Sequence, residues 1–284
     1  MSRALTPRQR REIPNRIRLY LLLAVYVVVV SFPFYYMILT SLRSQKDVYN
    51  KEAMLTPANL ILDNYATVLG KTNMTIWLTN SVVVGLASSA LALVIGVLAA
   101  YSLSRLRFWG SNAIARSVLF MYLIPSSLLF IPLYLIIANL SLLNTLWALI
   151  LSYQTFNVPF AAWMLIGYFR TIPMELEDAA RIDGCSRMGV LGRVILPLSA
   201  PGLVTAFIFC FTNSWNEFLY ATVMAQRSEL RTIPIGLYSF QIADILLWGQ
   251  LMAAAILATA PVLILYMLVQ RYVVQGLTAG SVKG

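Results

Sequence analysis

The sequence predicts an all-α polytopic membrane protein with six transmembrane helices, on three observations. Of 284 residues, 60% are hydrophobic and only 11% are charged, with a mean hydropathy of +0.76, a balance that excludes an ordinary water-soluble domain. Uncharged runs long enough to cross a bilayer recur along the whole chain. When alternate loops are assigned to opposite sides, 15 of the 21 Lys and Arg fall on one side and six on the other. The basic-rich side is then the cytoplasm.

Taken in order, residues 1–18 carry six arginines against Glu12 and are expected to stay in the cytoplasm. The uncharged run 19–42 is the first span, too long for a cleavable leader and interrupted only by Pro33. Residues 43–71 mix both signs of charge with Pro57, Asn59 and Asn64 and read as an external loop. A second span covers 77–104, and Arg105, Arg107 and Arg116 with no acid between them mark a cytoplasmic connection. From 117 to 169 no charge appears over 53 residues, room for a third and a fourth span joined by a tight external turn near 139–145. Pro125, Pro132 and Pro159 are expected to bend these spans, which is tolerated where the freed carbonyls face protein or water. The fifth span is placed at 202–224 and the sixth at 245–269, separated by an external loop. The chain then ends inside, so both termini are expected to be cytoplasmic.

Between the fourth and fifth spans lies the charged insert YFRTIPMELEDAARIDGCSRMGVLGRVILPLSAPG, residues 168–202. Thr171 is placed to cap a helix with Pro173 in its first turn, and Glu175, Glu177 and Asp178 suit the positive end of its dipole. That helix is predicted to stop at Gly184. Ser186 then caps a second helix carrying Met188, Val190, Leu191, Val194 and Ile195, broken at Pro197 and Pro201. Ala179 and Ala180 are small enough to let another protein approach closely, and Asp178, Arg181 and Asp183 surround them with charge. A headgroup-lying amphipathic loop requires neither the alanine pair nor the Asp-Gly break.

The run Asp178, Ala179, Ala180, Asp183, Gly184, Leu196, Pro197 and Pro201 resembles the EAA loop of binding-protein-dependent ABC importer permeases, with Cys185 where that family usually has Ala. Asn80-Ser81, followed by Ala100-Tyr101, Arg105, Phe108 and Gly110, resembles the opening of the family's shared core. The segments 215–221 and 270–284 resemble carbohydrate-type members, so the likeness covers essentially the whole chain. It implies a type I ABC importer permease fold in a prokaryotic plasma (inner) membrane: residues 1–72 hold a cytoplasmic segment, the first span and an external loop, 73–270 the five-helix core with a coupling loop at 170–201, and 271–284 a cytoplasmic tail. The resemblance further implies a second homologous permease chain, two ATPase subunits, an external solute-binding protein and a sugar or oligosaccharide cargo. Glu177, Asp178, Ala179, Ala180, Asp183 and Gly184 are then expected to dock the ATPase.

Polar groups at membrane depth are costly unless they face a cavity or a partner, so they are candidates for a solute path. Tyr153, Gln154 and Asn157 share one face near the middle of the fourth span, Ser126 and Ser127 lie at similar depth beside Pro125, and Asn213, Asn216 and Glu217 sit in the fifth. Polar adhesion between helices explains the same residues equally well. Glu217 stands roughly 22 Å along its span from Gly202, near the outer interface, where it can touch solute, brace a helix or face the binding protein. A proton relay would need a second intramembrane acid.

Other functions are excluded on composition. There is no His, the two cysteines lie in different kinds of segment, and neither a metal-ligand set nor a GxxxxGK[ST] phosphate loop occurs. The chain is therefore expected to be non-catalytic and to bind no cofactor, with ATP and Mg held by partner ATPases. Its net charge of +10 resides in loops beside apolar spans, which calls for membrane lipid as partner and not nucleic acid. A stand-alone secondary transporter or channel would require a charged midplane and no docking helix.

Overall fold

The computed structural model describes residues 7–49, 60–106, 108–242 and 245–279. Expectations that rest on the extreme termini, Pro57, Asn59 and Arg107 fall outside these residues. Contacts divide the chain into two units, Met1–Lys71 with Phe240–Ile256, and Thr72–Ser239 with Leu257–Gly284.

In the first unit α1 (Pro7–Ser41) contains an apolar stretch, Arg16–Ser41, in which residues 16–35 are all exposed and only the last three, Leu39, Thr40 and Ser41, are buried. A helix apolar all round and bare of neighbours is one whose solvent is hydrocarbon or another protein. Its end is fastened by α3 (Asp63–Lys71), where the Asn64 amide donates to the carbonyls of Ser41 (2.9 Å) and Arg43 (2.7 Å). A short α2 (Gln45–Val48) is capped by Ser44. The Gln45 amide donates to Leu246 in β2 (Ile245–Leu246), which pairs antiparallel with β1 (Gln241–Ile242). Apart from this two-residue pairing, the described residues with regular structure are helical, as the composition predicts.

The second unit is built on α4 (Met74–Arg105), which packs along α8 (Gln154–Phe169) and α12 (Ala200–Asn216). Small residues permit that packing: a Cβ on Gly96 would stand 2.8 Å from the Ala161 Cβ and 3.2 Å from the Ala162 backbone nitrogen. One apolar cluster gathers Tyr101, Leu165, Phe169, Val190 and Ile195 at the α4 C-terminal end. A second gathers Val84, Leu149, Tyr153, Tyr220 and Met224 toward the other end.

The fourth span is continuous over Leu146–Phe169, made of α7 (Leu146–Ser152) followed directly by α8. The third is not a single rod. α5 (Ser111–Leu123) and α6 (Ser126–Asn139) meet at 95°, because Pro125 forces Ile124 out of helical conformation (ψ 123°) and offers no N–H to continue the ladder. Pro132 and Pro159, expected to bend their spans, lie inside α6 and α8, which run on through them. The fifth span also differs from its expected form. α12 ends at Asn216, Glu217 is extended, and α13 (Leu219–Met224) starts afresh. The turn after α6 is pinned to α13, since Asn144 donates its N–H to the Met224 carbonyl (2.8 Å) and its side chain accepts from the Gln226 N–H (3.0 Å). A 3-10 turn (Ser228–Leu230) and α14 (Ile233–Tyr238) complete the loop before α15 (Trp248–Ala279).

Candidate functional site

The insert folds as helix, turn and helix: α9 (Met174–Ile182), then α10 (Arg187–Val190), one wide π turn (Leu191–Ile195) and α11 (Leu196–Leu198). Gly184 adopts φ +87°, and its N–H donates to Arg181 (3.1 Å) while that of Cys185 donates to Ala180 (2.9 Å). These two bonds satisfy the last carbonyls of α9 in the arrangement that a left-handed glycine permits. Ser186 caps α10 by accepting from the Gly189 N–H (3.2 Å). Two local expectations fail. Thr171 donates back to the Tyr168 carbonyl and leaves Pro173 as the residue before α9, while Pro197 is absorbed after the π turn, so the 81° break falls at Ser199.

The rotational setting of α9 comes from Arg105, the last residue of α4. Its guanidinium donates to the carbonyls of Phe169 (2.5 Å) and Ile172 (2.8 Å) and to the Met174 sulfur (2.7 Å), and its Nε lies 2.7 Å from Glu177 Oε1. That last contact is an ion pair without the alignment of a hydrogen bond, and both side chains are nearly inaccessible, at 5% and 7%. Burial pushes the Glu177 carboxyl above the ordinary carboxylate range, and Arg105 pulls against that shift. Glu177, expected to dock the ATPase, therefore points inward and is not on the exposed face of α9. Ala180 is likewise turned in, half-buried against the Tyr101–Val190 cluster. The outward face presents Leu176, Asp178, Ala179, Asp183 and Gly184, with Ile182 at the tip 86% exposed. Asp178 lies 3.9 Å from Arg181 in an exposed pair that adds little stability.

Seven of the eight candidate path residues separate into two groups, and Ser127 belongs to neither. Asn157, wholly buried, donates to Ser214 (2.9 Å), whose hydroxyl meets Ser88 (2.8 Å), and the Gln154 amide donates to the Ser88 and Ile150 carbonyls. Tyr153 is also wholly buried and donates to Glu217 (3.1 Å). This stripe thus ties α8 to α4 and α12 inside the chain instead of lining an open cavity. Ser126, Asn213, Asn216 and Glu217 instead line a cavity of about 590 Å³ with Tyr122, Phe156 and Phe218. Ser127 is exposed and is not among its lining residues. Glu217 has a structural task at the cavity wall: its carboxylate accepts from the N–H groups of Tyr220 (2.9 Å) and Ala221 (3.1 Å) and so starts α13. Tyr220 in turn donates to the Ser126 carbonyl (2.7 Å).

Residues 92–279 match the family model described as binding-protein-dependent transport system inner membrane component. The chain belongs to that family. As an ABC importer permease it is a multi-pass inner-membrane protein. It is 37% identical over 272 residues to the inner membrane ABC transporter permease protein YcjP of Escherichia coli K12, covering 95% of this chain and 97% of that one. It is 34% identical to the trehalose/maltose transport system permease protein MalG of Thermococcus litoralis, covering 97% and 99%. The permease also superposes, with a TM-score of 0.76 at 22% identity, on a chain from the crystal structure of a bacterial ABC transporter involved in import of the acidic polysaccharide alginate, covering 96% and 100%. At that identity the likeness carries the fold alone.

The permease has anchoring residues whose function composition could not reveal. At the start of α4 the Asn80 amide donates to the carbonyls of Glu229 (2.8 Å) and Arg231 (3.0 Å), Trp77 donates to Ser228, and Ser81 accepts from the Ile233 N–H (2.7 Å). The loop before α15 is thereby bound to α4. The signal in the sequence was the adjacent polar pair Asn80-Ser81 near the start of a long, largely apolar helix.

Proposed function

We propose that this permease translocates a sugar or oligosaccharide handed to it by an external solute-binding protein, and that two ATPase subunits dock on α9 and drive it. ATP and Mg belong to those partners, and this chain contributes no catalytic group. A second, homologous permease chain completes the pathway, and the bare face of α1 suits contact with it or with lipid. The observation that carries the reading is the tip of α9: an apolar Ile182 thrust into solvent on a helix whose opposite face is clamped to α4 by Arg105. With Leu176 and Met188 also exposed on the same charged insert, Ile182 suits an apolar contact surface, and the clamp lets a push on the tip reach the membrane core as rigid-body motion.

Sugar as cargo is supported by the named substrates of the Thermococcus relative and by the 590 Å³ cavity, whose aromatic rings suit pyranose faces and whose Asn213, Asn216 and Glu217 suit hydroxyls. The test replaces Ile182 with Asp in the full complex. Chain insertion should be normal, while ATPase co-purification and binding-protein-dependent uptake of maltose or trehalose into vesicles fall by tenfold or more, as expected when a central apolar anchor worth about 2 kcal/mol is lost. Wild-type ATPase retention and uptake in this variant would refute docking through α9. Uptake by the wild-type complex of no member of a di- and oligosaccharide panel would refute the cargo assignment alone.

A further inference from the structure

A second concavity, of about 430 Å³, lies between α5 and α8, outside the coupling loop and with no lining residue in common with the path cavity. Asn112, Ala115, Arg116 and Leu119 form one wall, and Trp163, Ile166, Gly167 and Arg170 form the other, each set at i, i+3, i+4 and i+7 on its helix. Gly167 leaves the floor open, since a Cβ there would meet nothing within 4 Å. One end is cationic. Arg116 donates its Nε–H to the Asn112 carbonyl (3.2 Å), and among the described residues neither Arg116 nor Arg170 has a carboxylate partner. The other end is aromatic: Trp163 lines it and stacks on Tyr122 (6.1 Å), a residue of the path-cavity wall. Beside it α5 exposes Phe120, Met121 and Leu123.

We propose that this groove is a binding site for an anionic phospholipid, with the phosphate between Arg116 and Arg170 and the first part of an acyl chain against Leu119 and Trp163. A cationic head site continuous with an apolar, aromatic-edged trough fits a ligand that joins both chemistries. An acidic peptide would leave the trough unfilled, and a free phosphate would ignore it. Guanidinium groups match phosphate geometry, and Trp is suited to the level where headgroup meets hydrocarbon. The placement rests on reading the coupling-loop side as cytoplasmic, the side whose leaflet presents anionic lipid.

The test uses the isolated full chain in detergent, so it depends on neither ATPase nor transport. Dioleoylphosphatidylglycerol and dioleoylphosphatidylcholine are titrated separately, and retained lipid is counted by native mass spectrometry, with inorganic phosphate as competitor. Phosphatidylglycerol should be retained in preference to phosphatidylcholine, and millimolar phosphate should not displace it. Retention should weaken about fivefold for each arginine replaced in Arg116→Gln and Arg170→Gln and be largely kept in the Arg→Lys variants, while Arg193→Gln changes nothing. The wild-type comparison of the two lipids stands even if a variant fails to fold. Equal retention of both lipids, displacement by phosphate, or undiminished retention in the Gln variants overturns the proposal. So does cross-linking from residue 116 in the assembled complex to a protein chain instead of lipid. Labelling of residue 183 from outside the cell would instead refute the cytoplasmic reading and leave lipid retention untouched.

Discussion

Truncating Arg105 to Ala strands the Glu177 carboxylate in a site that is only 7% accessible. It also withdraws the donor from the Phe169 and Ile172 backbone carbonyls, at the end of α8 and in the turn before α9. Removing one member of a buried ion pair costs about 3–5 kcal/mol because the survivor remains desolvated. Arg105→Ala should therefore lower the thermal unfolding temperature of the purified chain more than Arg105→Ala with Glu177→Ala does. A single variant as stable as wild type would show that the clamp contributes nothing. Gly184 illustrates a different constraint at the same scale. Its φ of +87° places it where a Cβ is strained whatever the surrounding space, so its role is conformational even though it lies on the exposed face.

At the scale of elements, the break in the fifth span is the clearest departure from the sequence reading. Three donors converge on Glu217, from Tyr153, Tyr220 and Ala221. Glu217→Ala should cost about 0.5–2 kcal/mol as a lost cap, and more for the hydroxyl left unpaired. Amide hydrogen exchange over 219–224 should then accelerate while α12 stays protected. Unchanged exchange in that segment would remove Glu217 from the role of helix initiator. The stop at Gly184 and the cap at Ser186 were legible because both depend on residues within a few positions of one another. Which alanine faces outward was not, because the rotation of α9 is set by Arg105, distant in sequence but adjacent in space. The eight polar candidates were legible as intramembrane polar groups. The division of seven of them into an interior network and a cavity wall was not, because it depends on how α4, α8 and α12 meet. The bend at Pro125 was legible, whereas Pro132 and Pro159 were accommodated by their helices, an outcome that tertiary packing decides.

For the whole molecule, the asymmetry of basic residues predicts the orientation in the bilayer. Single cysteines at 183 and 231, placed in a background lacking Cys185 and Cys210, should label from the cytoplasmic and external sides respectively. Reaction of residue 183 only from outside would overturn both the orientation and the docking of ATPases on α9. Within the second unit, α4 differs from its neighbours in having no proline and no interruption across 32 residues, about 48 Å of helix. Its first turns hold the 228–233 loop, and its last residue holds α9. The bent and interrupted spans can yield at their joints, but a continuous helix gripped at both ends behaves as a pushrod. A displacement of the 228–233 loop would therefore reach α9 with little loss, so two loops about 48 Å apart are mechanically one lever.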